Sequence, residues 1–207
     1  MIKGTPELIS GRREEIVNAC EKLYKTMSFK DITLKEIGNE VPFSRPTIYN
    51  YFRTKEEIFL ALYTREYDLW IADLEKIASS VSPLSRKDVA DKVAGSLEKR
   101  IQLLKLLSMN NYDMEANSRP ELLVAFKSSY GKSLEVFRSI LEKYCPETDE
   151  NKRTEIVYVF FPFMFGLYPY SSVTEKQSAA MKDAGVDFVT HSVYELAYSC
   201  LCALLGA

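Results

Sequence analysis

The sequence predicts an all-α fold, and three observations support this. The 207 residues include only 8 glycines and 8 prolines, so long stretches contain neither helix breaker. Along these stretches apolar residues recur at i, i+3, i+4 and i+7, the spacing of one helix face. No segment shows the apolar–polar alternation of a strand, and no internal repeat is found. We expect about nine helices, three in an N-terminal head and six behind it.

The first helix is predicted over residues 12–27, after a loose arm at residues 1–10. A fourth helix is predicted to begin at the N-cap Thr54, with Glu57 completing a capping box, and to run to about Ala78. At 1.5 Å per residue it spans about 36 Å, enough to connect the head with the rest of the chain.

Residues 33–55 have the pattern of two short helices joined by a tight turn. Thr33 is an N-cap, with Glu36 placed to close a capping box. Pro42 ends this helix, because its ring cannot continue it. Ser44 is the N-cap of the next one.

The second short helix has little to bury. Only Ile48 and Phe52 are expected to face the core. The other side chains should point outward: Arg45, Thr47, Tyr49, Asn50 and Tyr51. A short helix with donors, a methyl group and aromatic hydroxyls on its free face suits the major groove of DNA. The segment is therefore predicted to be a helix-turn-helix.

This segment resembles the N-terminal signature of the tetracycline-repressor (TetR) family over about residues 10–60. The matching pattern is Thr33-x3-Ile37-Gly38, then Ser44-x2-Thr47-x-Tyr49-x2-Phe52-x2-Lys55. The family usually has alanine at position 38 and glycine at position 42. Pro42 cannot adopt a positive φ, so a left-handed turn is excluded there. The resemblance implies a homodimeric DNA-binding transcriptional regulator, expected to be a repressor with a palindromic operator.

Predicted DNA contacts follow from side-chain chemistry and from position in the motif. Arg45 is the candidate for reading a guanine edge, and Thr47 can offer a hydroxyl or pack its methyl on thymine. Lys35 can reach a base edge or a phosphate. The remaining contacts are assigned to the DNA backbone. The full set is Thr33, Lys35, Ser44, Arg45, Thr47, Tyr49, Asn50, Tyr51 and Lys55. A packing tyrosine at position 49 and a merely solvated Arg45 are the alternatives.

Composition divides the chain in the same way. Residues 1–53 hold nine Lys/Arg and seven Asp/Glu, a net charge of +2, whereas the remainder has a net charge of −4. This asymmetry agrees with DNA binding at the N-terminus. We predict a helix-turn-helix domain over residues 1–54 and a helical effector-binding and dimerisation domain over residues 55–207.

The later helices are predicted at residues 86–108, 120–144, 149–170 and 185–205. The polar connections 110–119 and 171–184 have room for one helical turn and one short helix. Helix 185–205 is apolar on more than one face, so it needs a partner besides its own core. A two-fold dimer, in which helices 149–170 and 185–205 of both subunits form a four-helix bundle, meets that need. A large monomeric core is the alternative.

The TetR resemblance also implies a small effector, amphipathic or aromatic, bound among the C-terminal helices. Candidate lining residues are Tyr67, Trp70, Tyr112, Phe126, Tyr130, Phe163 and Tyr168, although plain core is the more common role for each of them. Pro162 removes a helical hydrogen bond and Gly131 lacks a side chain, so a cavity is predicted beside them. A bound ligand would shift helix 55–78 and thereby change the spacing of the two heads.

Other classes of protein are disfavoured. Four cysteines without a CxxC pair and a single histidine argue against a metal site or a disulfide framework, and no cofactor is expected. No GxSxG, HExxH or phosphate-binding glycine loop supports an enzyme. The uncharged run 156–170 is too short for a membrane span and contains prolines, so we predict a cytoplasmic protein. A DNA-binding structural or division-control protein of the same fold without an effector remains an alternative, as does an activator.

Overall fold

The computed structural model describes residues 5–109 and 111–207, and this part contains eleven helices and no strand. The all-α prediction is confirmed, with two helices more than expected. In chain order the helices are α1 (Pro6–Tyr24), α2 (Leu34–Asn39), α3 (Arg45–Ile48), α4 (Lys55–Ala78), α5 (Arg86–Glu98), α6 (Ile101–Leu107), α7 (Asn111–Ala116), α8 (Pro120–Tyr144), α9 (Glu150–Ser171), α10 (Glu175–Asp183) and α11 (Val193–Leu205).

The chain forms two compact units. The first comprises residues 1–66 and 110–130, and the second comprises residues 67–109 and 131–207. The long helices α4 and α8 are each divided between the two units, after Glu66 and after Tyr130 respectively. The first unit therefore contains α1–α3 and also α7, which lies far along the chain from them.

Helix α1 begins earlier than the sequence analysis expected. Thr5 is its N-cap, with the side-chain oxygen accepting from the backbone N–H of Leu8 at 3.3 Å, and Pro6 occupies the first helical position. Residues 6–10 are thus helical, and the predicted loose arm is wrong for them; residues 1–4 lie outside the described part. The helix ends at Tyr24, short of the predicted residue 27.

An aromatic and aliphatic core holds the first unit together. The ring of Phe59 on α4 lies 5.1 Å from that of Tyr24 and 4.8 Å from that of Phe29, both edge-on. Ile37 of α2 and Ile48 of α3 are fully buried. Edge-on pairs at such distances are favoured by the ring quadrupoles and add to the burial of apolar area.

The second unit has its core around α5, α6, α9 and α11. Helix α11 packs against α5 and α9, and α6 packs against α9. The predicted single helix over residues 86–108 is wrong, because Arg100 leaves the helical region (φ −116°, ψ 42°) and separates α5 from α6. Its guanidinium Nε donates to Asp73 of α4 at 2.9 Å.

The predicted C-terminal helix 185–205 is shorter in the structure. Gly185 has a φ of +67° and ends the chain reversal after α10, and α11 starts only after Ser192. Ser192 and Glu195 form a reciprocal capping box, with bonds of 3.1 and 2.8 Å. The short helices expected in the connections 110–119 and 171–184 are confirmed as α7 and α10.

Within the described residues, no single helix is long and apolar enough to cross a membrane. Helices α9 and α10 reach that length and composition only when taken together, and they are bent by 83° relative to each other.

Candidate nucleic-acid interface

Helix α2 and the turn after it form the support of the candidate interface. The hydroxyl oxygen of Thr33 accepts from the backbone N–H of Lys35 at 3.1 Å and of Glu36 at 3.5 Å, as an N-cap should. The Glu36 carboxylate accepts a hydrogen bond from the Thr33 hydroxyl, which lowers the pKa of that carboxyl, so the predicted capping box is only half formed. Helix α2 ends at Asn39, and no non-glycine residue in the described chain has a positive φ. The turn at Pro42 is therefore built without a left-handed residue.

Helix α3 presents the predicted reading face. Ile48 and Phe52 are fully buried, as predicted, while Arg45, Tyr49 and Asn50 are exposed. Thr47 is half-buried, and its hydroxyl lies 3.1 Å from that of Ser44, which occupies the N-cap position without bonding a backbone N–H. Three of the predicted contacts on this helix and the turn after it thus have solvent-facing side chains.

Tyr51 departs from the prediction. Its side chain is only 8% exposed, so the expectation that it points outward is wrong. The residue lies in the turn that follows α3, where its backbone N–H donates to the Ile48 carbonyl at 2.8 Å. Burial of the ring anchors this turn to the core of the first unit.

Lys55 also differs from its expected position. Its ammonium donates to the carbonyls of Phe29 (2.7 Å) and Ile32 (3.0 Å) and lies 4.3 Å from the centre of the Phe29 ring. The sequence motif predicts a contact between this charge and a DNA phosphate. In the structure it holds the loop before α2 against the start of α4.

The start of α4 is capped differently from the prediction. The Thr54 hydroxyl accepts from the Glu57 N–H at 3.2 Å, as expected. The Glu57 carboxylate, however, accepts from the backbone N–H of Arg53 at 2.7 Å and from Arg119, so the predicted return bond to Thr54 is absent. Glu57 is thereby a junction between separate parts of the first unit.

Two arginines of α1 lie against the helix-turn-helix, a position that the sequence analysis did not predict. The guanidinium of Arg12 lies 5.8 Å from the ring centre of Phe43, in the turn between α2 and α3. That of Arg13 lies 5.3 Å from the ring centre of Phe52, just beyond α3. The only sequence signal was a pair of adjacent cations in a helix, which gave no indication that they lie against the helix-turn-helix.

The predicted effector residues of the second unit have different environments. Tyr67 and Trp70 are core, with 1% and 0% exposure. The Trp70 indole N–H donates to the Ser96 hydroxyl at 3.0 Å, which satisfies its polar atom inside the core. Phe163 and Tyr168 are half-buried on α9.

The other predicted effector residues belong to the first unit. Phe126 is buried, with its ring 4.7 Å from that of Tyr63, whereas Tyr130 is half-buried and Tyr112 is 83% exposed. The seven aromatic residues therefore do not share one compact unit.

An apolar groove of about 360 Å³ lies open on the second unit. It is lined by Pro162, Phe163, Gly166, Leu167, Tyr170 and Leu196, from α9 and α11. Gly131, predicted to lie beside the same cavity as Pro162, does not line this groove. Tyr158, Val159 and Phe165, also on α9, are large apolar residues with exposed side chains. Helix α9 thus carries exposed apolar surface in addition to the residues that it buries in the core.

Comparisons with known families decide the assignment. Residues 16–62 match the family model described as "Bacterial regulatory proteins, tetR family". Residues 64–193, more than half of the chain, match the one described as "Tetracyclin repressor-like, C-terminal domain". The chain belongs to the TetR family. This TetR-family protein is accordingly a DNA-binding transcriptional regulator, which the resemblance of residues 33–55 had implied.

Individual relatives agree with this assignment. The Bacillus subtilis (strain 168) protein described as "Uncharacterized HTH-type transcriptional regulator YfiR" is 32% identical over 80 residues, which is 39% of either chain. The match thus spans about two fifths of that relative's length. A solved transcriptional regulator from Cytophaga hutchinsonii superimposes with a TM-score of 0.63 at 19% identity, covering 95% of both chains.

A second solved structure is the regulator FadR from Bacillus subtilis, determined in complex with stearoyl-CoA. It has a TM-score of 0.61 and 16% identity, covering 93% of this TetR-family chain and 97% of FadR. At these identities the two solved structures show a common fold.

Proposed function

We propose that this TetR-family regulator is a repressor that binds a palindromic operator as a homodimer and is released by a small amphipathic or aromatic ligand. The observation that carries this proposal is the surface of α3 and of the turn after it, where Arg45, Tyr49 and Asn50 are solvent-exposed while Ile48 is buried. Residues 1–54 would form the DNA-binding domain, and residues 55–207 would bind the effector and dimerise.

The predicted contact residues of α2, α3 and the turn after α3 have separate roles in this proposal. Arg45 would donate two hydrogen bonds to a guanine edge, which contributes about 1–3 kcal/mol of discrimination. Thr47, next to Ser44, would contact a base edge or phosphate. Tyr49, Asn50, Lys35 and Thr33 would bind the DNA backbone and fix the position of the helix, without reading sequence.

The proposed dimer is supported by the apolar surface of α9 and α11. The groove lined by Phe163, Leu167 and Leu196 continues a surface on which Tyr170 is 64% exposed. An exposed apolar patch of this kind is typical of an interface, and a two-fold axis would pair it with its own copy. In such a dimer the two recognition helices would lie about 34–36 Å apart and enter successive major grooves.

The proposed effector is amphipathic or aromatic. The likeness to FadR, whose structure contains stearoyl-CoA, makes a long-chain acyl-CoA a reasonable first probe for this class of ligand. Binding would favour one arrangement of α4 and so change the spacing of the two heads, and operator affinity would change by the same coupling factor. A regulator acting on chromosomal DNA in this way would be cytoplasmic.

The test is binding of the purified protein to labelled DNA from the promoter of its own gene, measured by fluorescence anisotropy at two salt concentrations. Tight, sequence-selective binding that weakens with salt is expected. A scrambled duplex of equal length is the control. Equal affinity for both duplexes would contradict operator binding.

The same assay separates the regulator with an effector from a DNA-binding structural protein of this fold. Stearoyl-CoA is added to the preformed complex, with free coenzyme A as the control for its polar part. Release by stearoyl-CoA alone supports an amphipathic effector. Retention of DNA with this acyl-CoA and with a panel of aromatic amphiphiles would favour the structural protein.

A further inference from the structure

The turn after α3 is bonded to a segment that lies almost seventy residues further along the chain. Arg119 occupies the connection between α7 and α8, within the first unit. One terminal nitrogen of its guanidinium donates to the backbone carbonyl of Tyr51 at 2.9 Å and to Glu57 Oε2 at 3.0 Å. Its Nε donates to Glu57 Oε1 at 2.7 Å.

Glu57 is the buried anchor of this arrangement. Its side chain is 1% exposed, and besides the guanidinium it accepts the backbone N–H groups of Arg53 (2.7 Å) and Arg119 (3.2 Å). Burial alone raises the pKa of the Glu57 carboxyl, but these hydrogen bonds outweigh it and leave the pKa below its ordinary value. The carboxylate therefore remains charged and needs its partner, because an unpaired buried charge is strongly disfavoured.

A second bond joins the same two segments. The Thr54 hydroxyl donates to the backbone carbonyl of Asn117 at 3.0 Å. The stretch from Tyr51 to Glu57, which runs from the turn after α3 into α4, is thus attached to residues 117–119 at its beginning, its middle and its end. Since Tyr51 is itself bonded to Ile48, the last residue of α3, the contact with Arg119 lies one short turn away from the reading face.

We propose that Arg119 is a positioning residue of the DNA-binding surface, contributed from outside the helix-turn-helix. By holding Tyr51 against Glu57, it fixes the orientation in which α3 presents Arg45 and Thr47. The inference rests on the proposed operator binding. It adds that residues 1–54 alone do not define the reading geometry, which also requires the α7–α8 connection.

The test uses the full chain with Arg119→Lys, which keeps the charge but cannot donate to both Glu57 and Tyr51 in the same fork. Arg138→Lys is the matched control, because Arg138 lies on α8 and bonds the Thr154 hydroxyl in the second unit. We expect Arg119→Lys to weaken operator binding at least tenfold without changing the slope of affinity against salt. Because lysine keeps the charge, a phosphate contact is tested with the neutral substitution Arg119→Met in the double variant described below, where loss of such a contact would lower that slope by about one.

Hydrogen exchange supplies a readout that does not depend on DNA. The amides of Tyr51 and Phe52, both donating to the Ile48 carbonyl, should exchange at least tenfold faster in Arg119→Lys than in the wild type or in Arg138→Lys. If the wild-type protein binds no operator, the proposed function fails while this measurement still decides whether Arg119 holds the turn. The inference would be overturned if the amides of Arg119→Lys exchanged at the wild-type rate. It would also be overturned if the wild type bound the operator and Arg119→Lys bound it with the same affinity.

A double variant guards against loss of folding. Glu57→Gln with Arg119→Met removes both charges, so no buried charge is left unpaired. The folded double variant should show the same fast exchange at Tyr51 and Phe52 and the same weakened operator binding. Wild-type behaviour in this variant would also overturn the inference.

Discussion

Lys55 shows how the role of a single residue depends on partners that are distant in sequence. The motif alone predicts that Lys55 contacts a DNA phosphate. In the structure, however, its ammonium donates to the carbonyls of Phe29 and Ile32, which lie in the loop before α2. Nothing in the sequence marked these carbonyls as acceptors, since every residue has one. Arg45, in contrast, could be recognised from its local position, because the first residue of a short helix has few neighbours to bury it.

Lys55→Met should therefore act on stability and leave the salt dependence of DNA binding unchanged. Losing two charge-assisted hydrogen bonds at a half-buried site should lower the free energy of unfolding by about 1–2 kcal/mol. Urea denaturation measures this, with the exposed Lys30→Met as the control. A smaller salt slope with unchanged stability would restore the phosphate contact predicted from the sequence.

Arg45→Ala should relax sequence selectivity. Loss of a bidentate pair to guanine should cost about 1–3 kcal/mol on the operator and much less on a duplex with that base pair changed. Competition binding with single-base operator variants measures this. Lys182→Ala, which removes an exposed cation of α10, serves as the control. An equal loss of affinity on every duplex would assign Arg45 to the phosphate backbone instead.

At the level of elements, cap sequences are the local signals that best predict where a helix begins. Contacts between residues far apart in the chain are the hardest to predict from the sequence. Thr5-Pro6 and Ser192-x-x-Glu195 are cap sequences that could have fixed the starts of α1 and α11, because the bonds that form them are local. The break between α5 and α6 could not be found in this way. Arg100 occupies the N-cap position of α6 without a side-chain cap bond, and its guanidinium donates to Asp73, a residue on another helix.

Gly38→Ala should stabilise the helix-turn-helix. An added Cβ would lie 3.6 Å from Ile48 Cδ1 and 3.7 Å from Arg45 Cβ, which are ordinary van der Waals distances. The gain should approach the helix-propensity difference of about 1 kcal/mol. Thermal denaturation measures this gain.

Gly206→Ala is the contrasting variant. Gly206 has a φ of +65°, at which a side chain is strained, so this substitution should make the protein less stable. Destabilisation by Gly38→Ala would mean that α2 and α3 cannot keep their present separation.

The Asp73–Arg100 contact at the α5–α6 break should contribute to stability in a pH-dependent way. Burial raises the pKa of Asp73, but hydrogen bonds from Lys76 and Arg100 lower it more, so the folded pKa lies below 3.8. The carboxylate consequently stabilises the fold above pH 3.8, and this contribution is lost as pH falls through the folded value. Asp73→Asn should be about 1–2 kcal/mol less stable at neutral pH, with the difference shrinking in acid.

Urea denaturation of both proteins between pH 7 and pH 3 measures that difference. Glu155→Gln removes an exposed carboxylate of α9 and is the control. A difference between Asp73→Asn and the wild type that stays constant over this range would show that the charge of Asp73 is not what stabilises the break.

At the level of the whole molecule, the proposed assembly follows from surface that the chain does not cover itself. Helix α9 has Phe160 and Met164 in the core of the second unit, while Tyr158, Val159 and Phe165 remain exposed on the same helix. Its sequence is apolar all round, and this pattern alone could not distinguish a buried helix from one shared between subunits. The exposure of one side, together with the groove beside α11, favours the dimer.

Phe165→Glu should leave each subunit folded and weaken the dimer. Phe165 is 40% exposed, so the carboxylate that Phe165→Glu introduces can be hydrated in the monomer. Where two α9 helices pack together, it would be buried without a partner of opposite charge. We expect the dimer dissociation constant to rise about 100-fold, which corresponds to about 2.7 kcal/mol. Sedimentation equilibrium measures it, and Val124→Glu, at an apolar site on α8 that is 65% exposed, is the control. Operator affinity should fall with the dimer, because a monomer offers one recognition helix. An unaltered dissociation constant would exclude this surface of α9 from the interface.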